Sequence, residues 1–190
     1  MQIQERSKYL VNLRIINIKC AQMKKLLHFS FIILFLSSCG STQTSSEAKP
    51  SKKSLKGTWK VTNIRFVGQE GLYKANLFDM ADSACFKESE WVFIPNNGSG
   101  KFTINEGAHC EPVATRIHWS FYEPGDGTYQ FQFKYVDEKN KPIDSANRGY
   151  RSKIDSLEEN TMIMRVATTV DGKEFDVILT FNKVSEDFAI

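Results

Sequence analysis

Thiols and imidazoles are the side chains here most able to do chemistry, and they are few. Four cysteines (Cys20, Cys39, Cys85, Cys110) and three histidines (His28, His109, His118) are spread over 190 residues. A reactive thiol needs an unpaired sulfur with a depressed pKa, and a metal site needs three or four ligands at close spacing. His109 adjoins Cys110, but no further ligand stands at a useful interval. The carboxylate pairs Glu88 with Glu90 and Glu158 with Glu159 lack an acid–base context and read as solvated faces. There is no G-x-S-x-G, no glycine-rich phosphate loop and no zinc spacing. Neither an enzyme nor a metal or cofactor protein is expected.

Cys85 and Cys110 bracket the stretch CFKESEWVFIPNNGSGKFTINEGAHC. Trp91-Val92-Phe93-Ile94 is an apolar strand core, and Asn97-Gly98-Ser99-Gly100 supplies residues that accept positive φ in a tight turn. Lys101 to Asn105 then alternates polar and apolar, as a half-buried strand does. A bond between the two cysteines would staple this hairpin and would require an oxidising compartment. Whether the chain leaves the cytoplasm therefore decides much else.

Met23-Lys24-Lys25 precedes an apolar run of 11 residues, Leu26 to Leu36, which is followed by Ser37-Ser38-Cys39-Gly40. A short positive region, an apolar stretch and small residues before a cut form a secretory signal. The run is too short for a spanning helix, which needs about 20 apolar residues. Translation is expected to start at Met23, with residues 1–22 preceding the true start. Leader residues 1–38 hold six of the 25 Lys/Arg and one of the 22 Asp/Glu, which leaves 19 basic against 21 acidic residues elsewhere, net −2. The apparent basicity belongs to the leader, and there is no electrostatic case for nucleic-acid binding.

Leu36-Ser37-Ser38-Cys39 resembles the lipobox of bacterial lipoproteins. That resemblance implies a diacylglyceryl group on the Cys39 thiol, cleavage just before it, and acylation of the new amine by palmitate or a similar chain. Gly40 and Ser41, in place of an Asp, imply the outer membrane, facing the periplasm. One acyl chain holds a protein only marginally, whereas two or more anchor it stably. With Cys39 acylated, Cys85 and Cys110 remain as a pair, and closing their loop contributes about 3.5 kcal/mol in the chain-entropy model. Residues 39–54 then form a Ser/Thr/Lys-rich tether reaching roughly 20–24 Å.

The remainder, 55–190, reads as one domain. Strands are expected at Leu55 to Val67, on both arms of the stapled hairpin, and at Thr115 to Tyr122, Thr128 to Val136, Tyr150 to Leu157, Thr161 to Thr169 and Glu174 to Val184. Glu123 to Gly127 and Asp171-Gly172 are turns, and a short helical turn is expected over Ala75 to Asp82. Eight strands joined mainly by short turns predict an all-β fold, an eight-stranded antiparallel up-and-down barrel. A seven- or eight-stranded sandwich is the competing architecture.

Gly57-Thr58-Trp59 on the first strand of such a meander resembles the lipocalins, in which the Trp plugs the closed end of the barrel. The two cysteines, the Trp-x-Phe strand between them and the Asn-Glu-Gly bend resemble, more specifically, the lipocalin-like lipoproteins of Bacteroidetes. The resemblance spans about residues 55–184. It implies Gly57 and Trp59 as the barrel-closing pair and a small apolar ligand as partner. No Arg follows the last strand to stack on Trp59; Arg165 either takes that place or is a surface residue. Ile117, Trp119, Phe121, Tyr129, Phe131, Phe133 and Tyr135 share one face of their strands, where they line either a ligand cavity or a solid core. A solid barrel would make this a protein-interaction or envelope-structure lipoprotein that works through loops 68–84 and 137–147.

Overall fold

The computed structural model describes residues 49–68 and 74–188. The leader, Cys39 and the tether as far as residue 48 lie outside the described residues. Among the described residues ten strands follow one another: β1 (Gly57–Val67), β2 (Asn76–Leu77), β3 (Ala81–Asp82), β4 (Glu90–Ile94), β5 (Ser99–Ile104), β6 (Val113–Tyr122), β7 (Tyr129–Tyr135), β8 (Tyr150–Leu157), β9 (Thr161–Val170) and β10 (Lys173–Ser185). Eight of them close into one antiparallel barrel in the order β1-β10-β9-β8-β7-β6-β5-β4, with β4 returning to β1. This is the barrel that the alternation predicts, and the sandwich is excluded. Closure leaves the barrel without an exposed edge.

Local chemistry explains the hairpins. Asp171 and Gly172 both take positive φ (52° and 75°), as a two-residue loop that follows the strand twist requires. At the β4–β5 turn, the Asn97 side chain accepts hydrogen bonds from the Ser99 N–H and hydroxyl, and Gly98 carries the positive φ. In β1 the apolar residues change parity, from Trp59 and Val61 to Ile64 and Phe66. The strand accommodates this with a register shift between Val61 and Asn63, a bulge that keeps both pairs directed at the core.

Two expectations are corrected. The first strand starts at Gly57, not Leu55, because Lys52–Leu55 forms a 3-10 turn whose N-cap, Ser51, accepts from the Ser54 N–H. Ala75 to Asp82 is not a helical turn. Phe78 and Asp79 adopt positive φ (56° and 52°), which an α-helix forbids, and the segment is the tight β2–β3 hairpin. A 3-10 turn at Ser83–Phe86 then leads into β4.

The antiparallel order sorts the connections between two ends. At one end lie the 3-10 turn before β1 and the β4–β5, β6–β7 and β8–β9 turns. At the other lie the long β1–β4 excursion, the β5–β6 and β7–β8 loops and the β9–β10 turn. Cys85 and Cys110 are bonded, with Cα atoms 5.5 Å apart, and tie the excursion to the β5–β6 loop at this second end. The core between the two ends is strongly aromatic: Trp59, Trp91, Trp119, Phe86, Phe93, Phe102, Phe131 and Phe181 are all fully buried.

Candidate functional site

Strand alternation sends one side chain in two into the barrel. The seven residues singled out on β6 and β7 follow this rule. Ile117, Trp119, Phe131 and Phe133 are buried in the central cluster, while Phe121, Tyr129 and Tyr135 are partly buried against it. Their register places Ile117 opposite Tyr135, Trp119 opposite Phe133 and Phe121 opposite Phe131. The structure thus brings all seven onto one inner wall, with Tyr135 at the mouth end and Tyr129 at the opposite end.

Trp91, on β4, packs into the same interior. Its indole stacks on Phe102 (centroids 4.5 Å apart) and meets Phe133 and Phe181 edge-on. The indole N–H donates to the hydroxyl of buried Ser89, which in turn donates to the Phe86 carbonyl. Every polar atom of that short chain is satisfied, so Trp91 is fixed rather than adaptable.

The mouth is covered by the β2–β3 hairpin. Phe78, at its tip, points inward and packs edge-on against Phe86, Trp91, Phe133 and Tyr150, with centroids 5.1–6.2 Å away. The left-handed backbone that aims this ring costs about 1–2 kcal/mol for a side chain with a Cβ. The aromatic contacts and two latches offset that cost. Tyr135 donates its hydroxyl to the Phe78 carbonyl at 2.7 Å, and Tyr150 donates to the Asp79 carboxylate at 3.2 Å. Burial, reinforced by Tyr150 and Asp79, pushes the Tyr135 phenol far above its ordinary value. Burial and then Asp79 raise Tyr150 as well. Both phenols therefore stay protonated and keep donating at any physiological pH.

Ser152, on β8, is a polar residue on the inner wall. It is buried opposite Phe131, and its hydroxyl oxygen has no hydrogen-bond partner. A second orphan, Ser83 Oγ, lies in the 3-10 turn behind the hairpin. Leaving such a group unpaired costs about 1–3 kcal/mol. Ser152 thus offers one unused hydrogen-bonding atom beside the aromatic wall. Among the described residues no group of three or more His, Cys, Asp or Glu is placed to hold a metal ion.

Residues 55–164 match a family model described as a lipocalin-like domain. The chain belongs to the lipocalin-like domain family. Solved structures similar to this chain include bovine odorant-binding protein with a selenium-containing odorant. That pair shares 18% identity with a TM-score of 0.38 and covers 73% of this chain and 76% of the other. The complex of bovine odorant-binding protein with undecanal is similar at 17% identity and a TM-score of 0.36, covering 73% and 77%. No curated protein matches this chain.

In this lipocalin-like domain Gly57 and Trp59 stand at the end opposite the mouth. Gly57 has φ +112°, and a Cβ there would lie 2.2 Å from the Ser185 carbonyl oxygen, so only glycine fits. Trp59 is fully buried and donates its indole N–H to the Leu55 carbonyl, which ties the 3-10 turn across this end. The cation over its ring is Lys183, its direct cross-strand partner on β10, at 5.0 Å. Arg165 does not take that place. It lies on the outside of the barrel between Asp155 and Asp176, at 2.6 and 2.8 Å, and the two carboxylates raise its pKa further. The residues that sequence reasoning missed, Phe78, Tyr150, Ser152 and Lys183, carry no motif. Only the inward parity of Tyr150 and Ser152 on β8 could have pointed to them.

Proposed function

We propose that this chain is a cell-envelope lipoprotein whose barrel binds a small, mostly apolar ligand carrying one hydrogen-bonding group. Acyl chains on Cys39 hold it to the outer membrane facing the periplasm, residues 39–54 act as the tether, and 55–190 is the working domain. The anchor rests on the lipobox pattern, and the oxidising compartment is supported by the Cys85–Cys110 bond. The ligand reading is carried by Ser152, a buried, unpartnered hydroxyl within an aromatic wall. A ligand's polar atom would satisfy it while the rest of the ligand packs on Phe131 and Phe133. Phe78 is the side chain that must yield for entry, because its backbone is strained and its hairpin is held by two hydrogen bonds. An apolar fluorescent probe tests this directly: saturable binding that a Ser152→Trp substitution abolishes supports the reading, and unsaturable binding opposes it. Labelled palmitate that enters the native chain but not Cys39→Ser supports the anchor.

A second reading has its own observation. The interior aromatics interlock closely around Trp91, as in a barrel that is simply solid. The contact surface would then be the loops of the mouth end, where Ile143 stands 64% exposed. Absence of saturable probe binding would favour it.

A further inference from the structure

The outer face of β5–β8 has a charge pattern that the barrel fold does not need. Outward positions carry Lys101 on β5, Arg116 on β6, Lys134 on β7 and Arg151 on β8. Lys101 and Arg116 are direct cross-strand partners. Like charges placed opposite one another destabilise a sheet. Among the described residues none of these four cations forms a salt bridge.

Between β6, β7 and β8 the same face holds a groove of about 530 Å³, whose outward lining residues are His118, Ser120, Gln132, Lys134 and Arg151, and no lining residue is acidic. Its polar groups are already oriented. Gln132 donates to the Ser120 hydroxyl at 2.9 Å and accepts from Arg151 Nε at 3.2 Å, which leaves the terminal guanidinium nitrogens free of that bond. The Arg151 guanidinium lies 4.2 Å from the centroid of the Tyr122 ring, which fixes its plane. Lys134 is steered by Asn147, a neutral partner that leaves its charge uncompensated. A guanidinium fork, an ammonium and a hydroxyl on one concave surface suit the several acceptor oxygens of a phosphate group.

We propose that this groove binds a phosphate ester, at a site separate from the barrel interior. The phosphate comes either from a phospholipid headgroup or from a soluble phosphoester. The chemistry is shared, and the chain's entry point is compatible with a membrane source: Lys52, in the turn before β1, and His118 both flank Gly98, where an added Cβ would meet Lys52 Nζ at 3.2 Å and His118 Cε1 at 3.5 Å.

The full chain in neutral detergent micelles tests this by NMR of the His118 ring. One arm titrates glycerol 3-phosphate; the other adds phosphatidylglycerol to the micelles, with phosphatidylcholine at the same level as reference. Saturable His118 shifts with glycerol 3-phosphate assign a soluble source. Shifts with phosphatidylglycerol alone assign the headgroup. Lys134→Gln with Arg151→Gln should weaken either response at least about tenfold, whereas Lys87→Gln with Lys173→Gln, an equal loss of charge at exposed positions away from the groove, should not. No saturable shift in either arm, or equal responses in both variants, would overturn the proposal. An unchanged amide spectrum for the barrel core establishes that the double variant is folded. Because the interior is not probed, failure here leaves the ligand reading of the barrel standing.

Discussion

The Tyr135 hydroxyl meets the Phe78 carbonyl at 2.7 Å and so fastens the hairpin that covers the barrel mouth to the inner wall. Removing that hydroxyl with Tyr135→Phe should cost about 1 kcal/mol of stability. Amide exchange should speed up in residues 75–86 before it does so elsewhere. Hydrogen exchange read by mass spectrometry checks this, and uniform acceleration would argue against a latch.

Phe78 itself should respond in two opposed ways. Phe78→Gly deletes the ring, which costs about 3 kcal/mol or more as for other buried Phe truncations. It also relieves the left-handed strain and recovers part of that loss. The variant should be less destabilised than Phe133→Ala in urea unfolding, and it should take up an apolar probe faster.

Ser152→Ala should leave stability unchanged or slightly higher, since it removes an unpaired buried hydroxyl. If that hydroxyl holds a ligand's polar atom, affinity should fall about tenfold, the worth of one neutral hydrogen bond. Urea unfolding and probe binding, measured on the same sample, separate the two effects.

The strands were legible in the sequence because their signals are local. Alternation on Thr128–Val136 and the Asp171-Gly172 turn specify register and reversal within a few residues. The site was legible only as a face: parity gives the direction of Ile117, Trp119 and Phe131, but not what meets them. Phe78 reaches the interior through a positive-φ turn that no propensity favours. The cation on Trp59 was sought as an arginine beyond the last strand, yet it is Lys183, within β10 and directly across from the Trp. That pairing is fixed by barrel closure, which joins the first and last strands over more than a hundred residues of sequence.

Lys183 lies over Trp59 and also bonds Glu186 at 2.7 Å. Lys183→Met keeps the apolar stem and removes the charge, so it should cost about 1 kcal/mol. Lys183→Arg should restore most of the loss. Equilibrium unfolding monitored by tryptophan fluorescence checks both.

His118 is held below its ordinary value of 6.5, first by burial and then by Lys134 and Lys52. The unfolded chain thus binds this proton more readily than the folded one. The stability tied to neutral His118 is fully present above pH 6.5 and is lost as pH falls through the lower folded-state pKa. Lys134→Gln should move the His118 titration back up towards 6.5, which NMR of the ring protons reads directly.

The central claim is that the barrel holds a ligand. Native mass spectrometry of the full chain, purified from its native source in neutral detergent, tests it most directly. The account predicts a discrete non-covalent adduct that is released on denaturation and is missing from Ser152→Trp, in addition to any covalent lipid. A folded wild-type chain that carries only its covalent mass, and takes up no apolar compound added in excess, would contradict it.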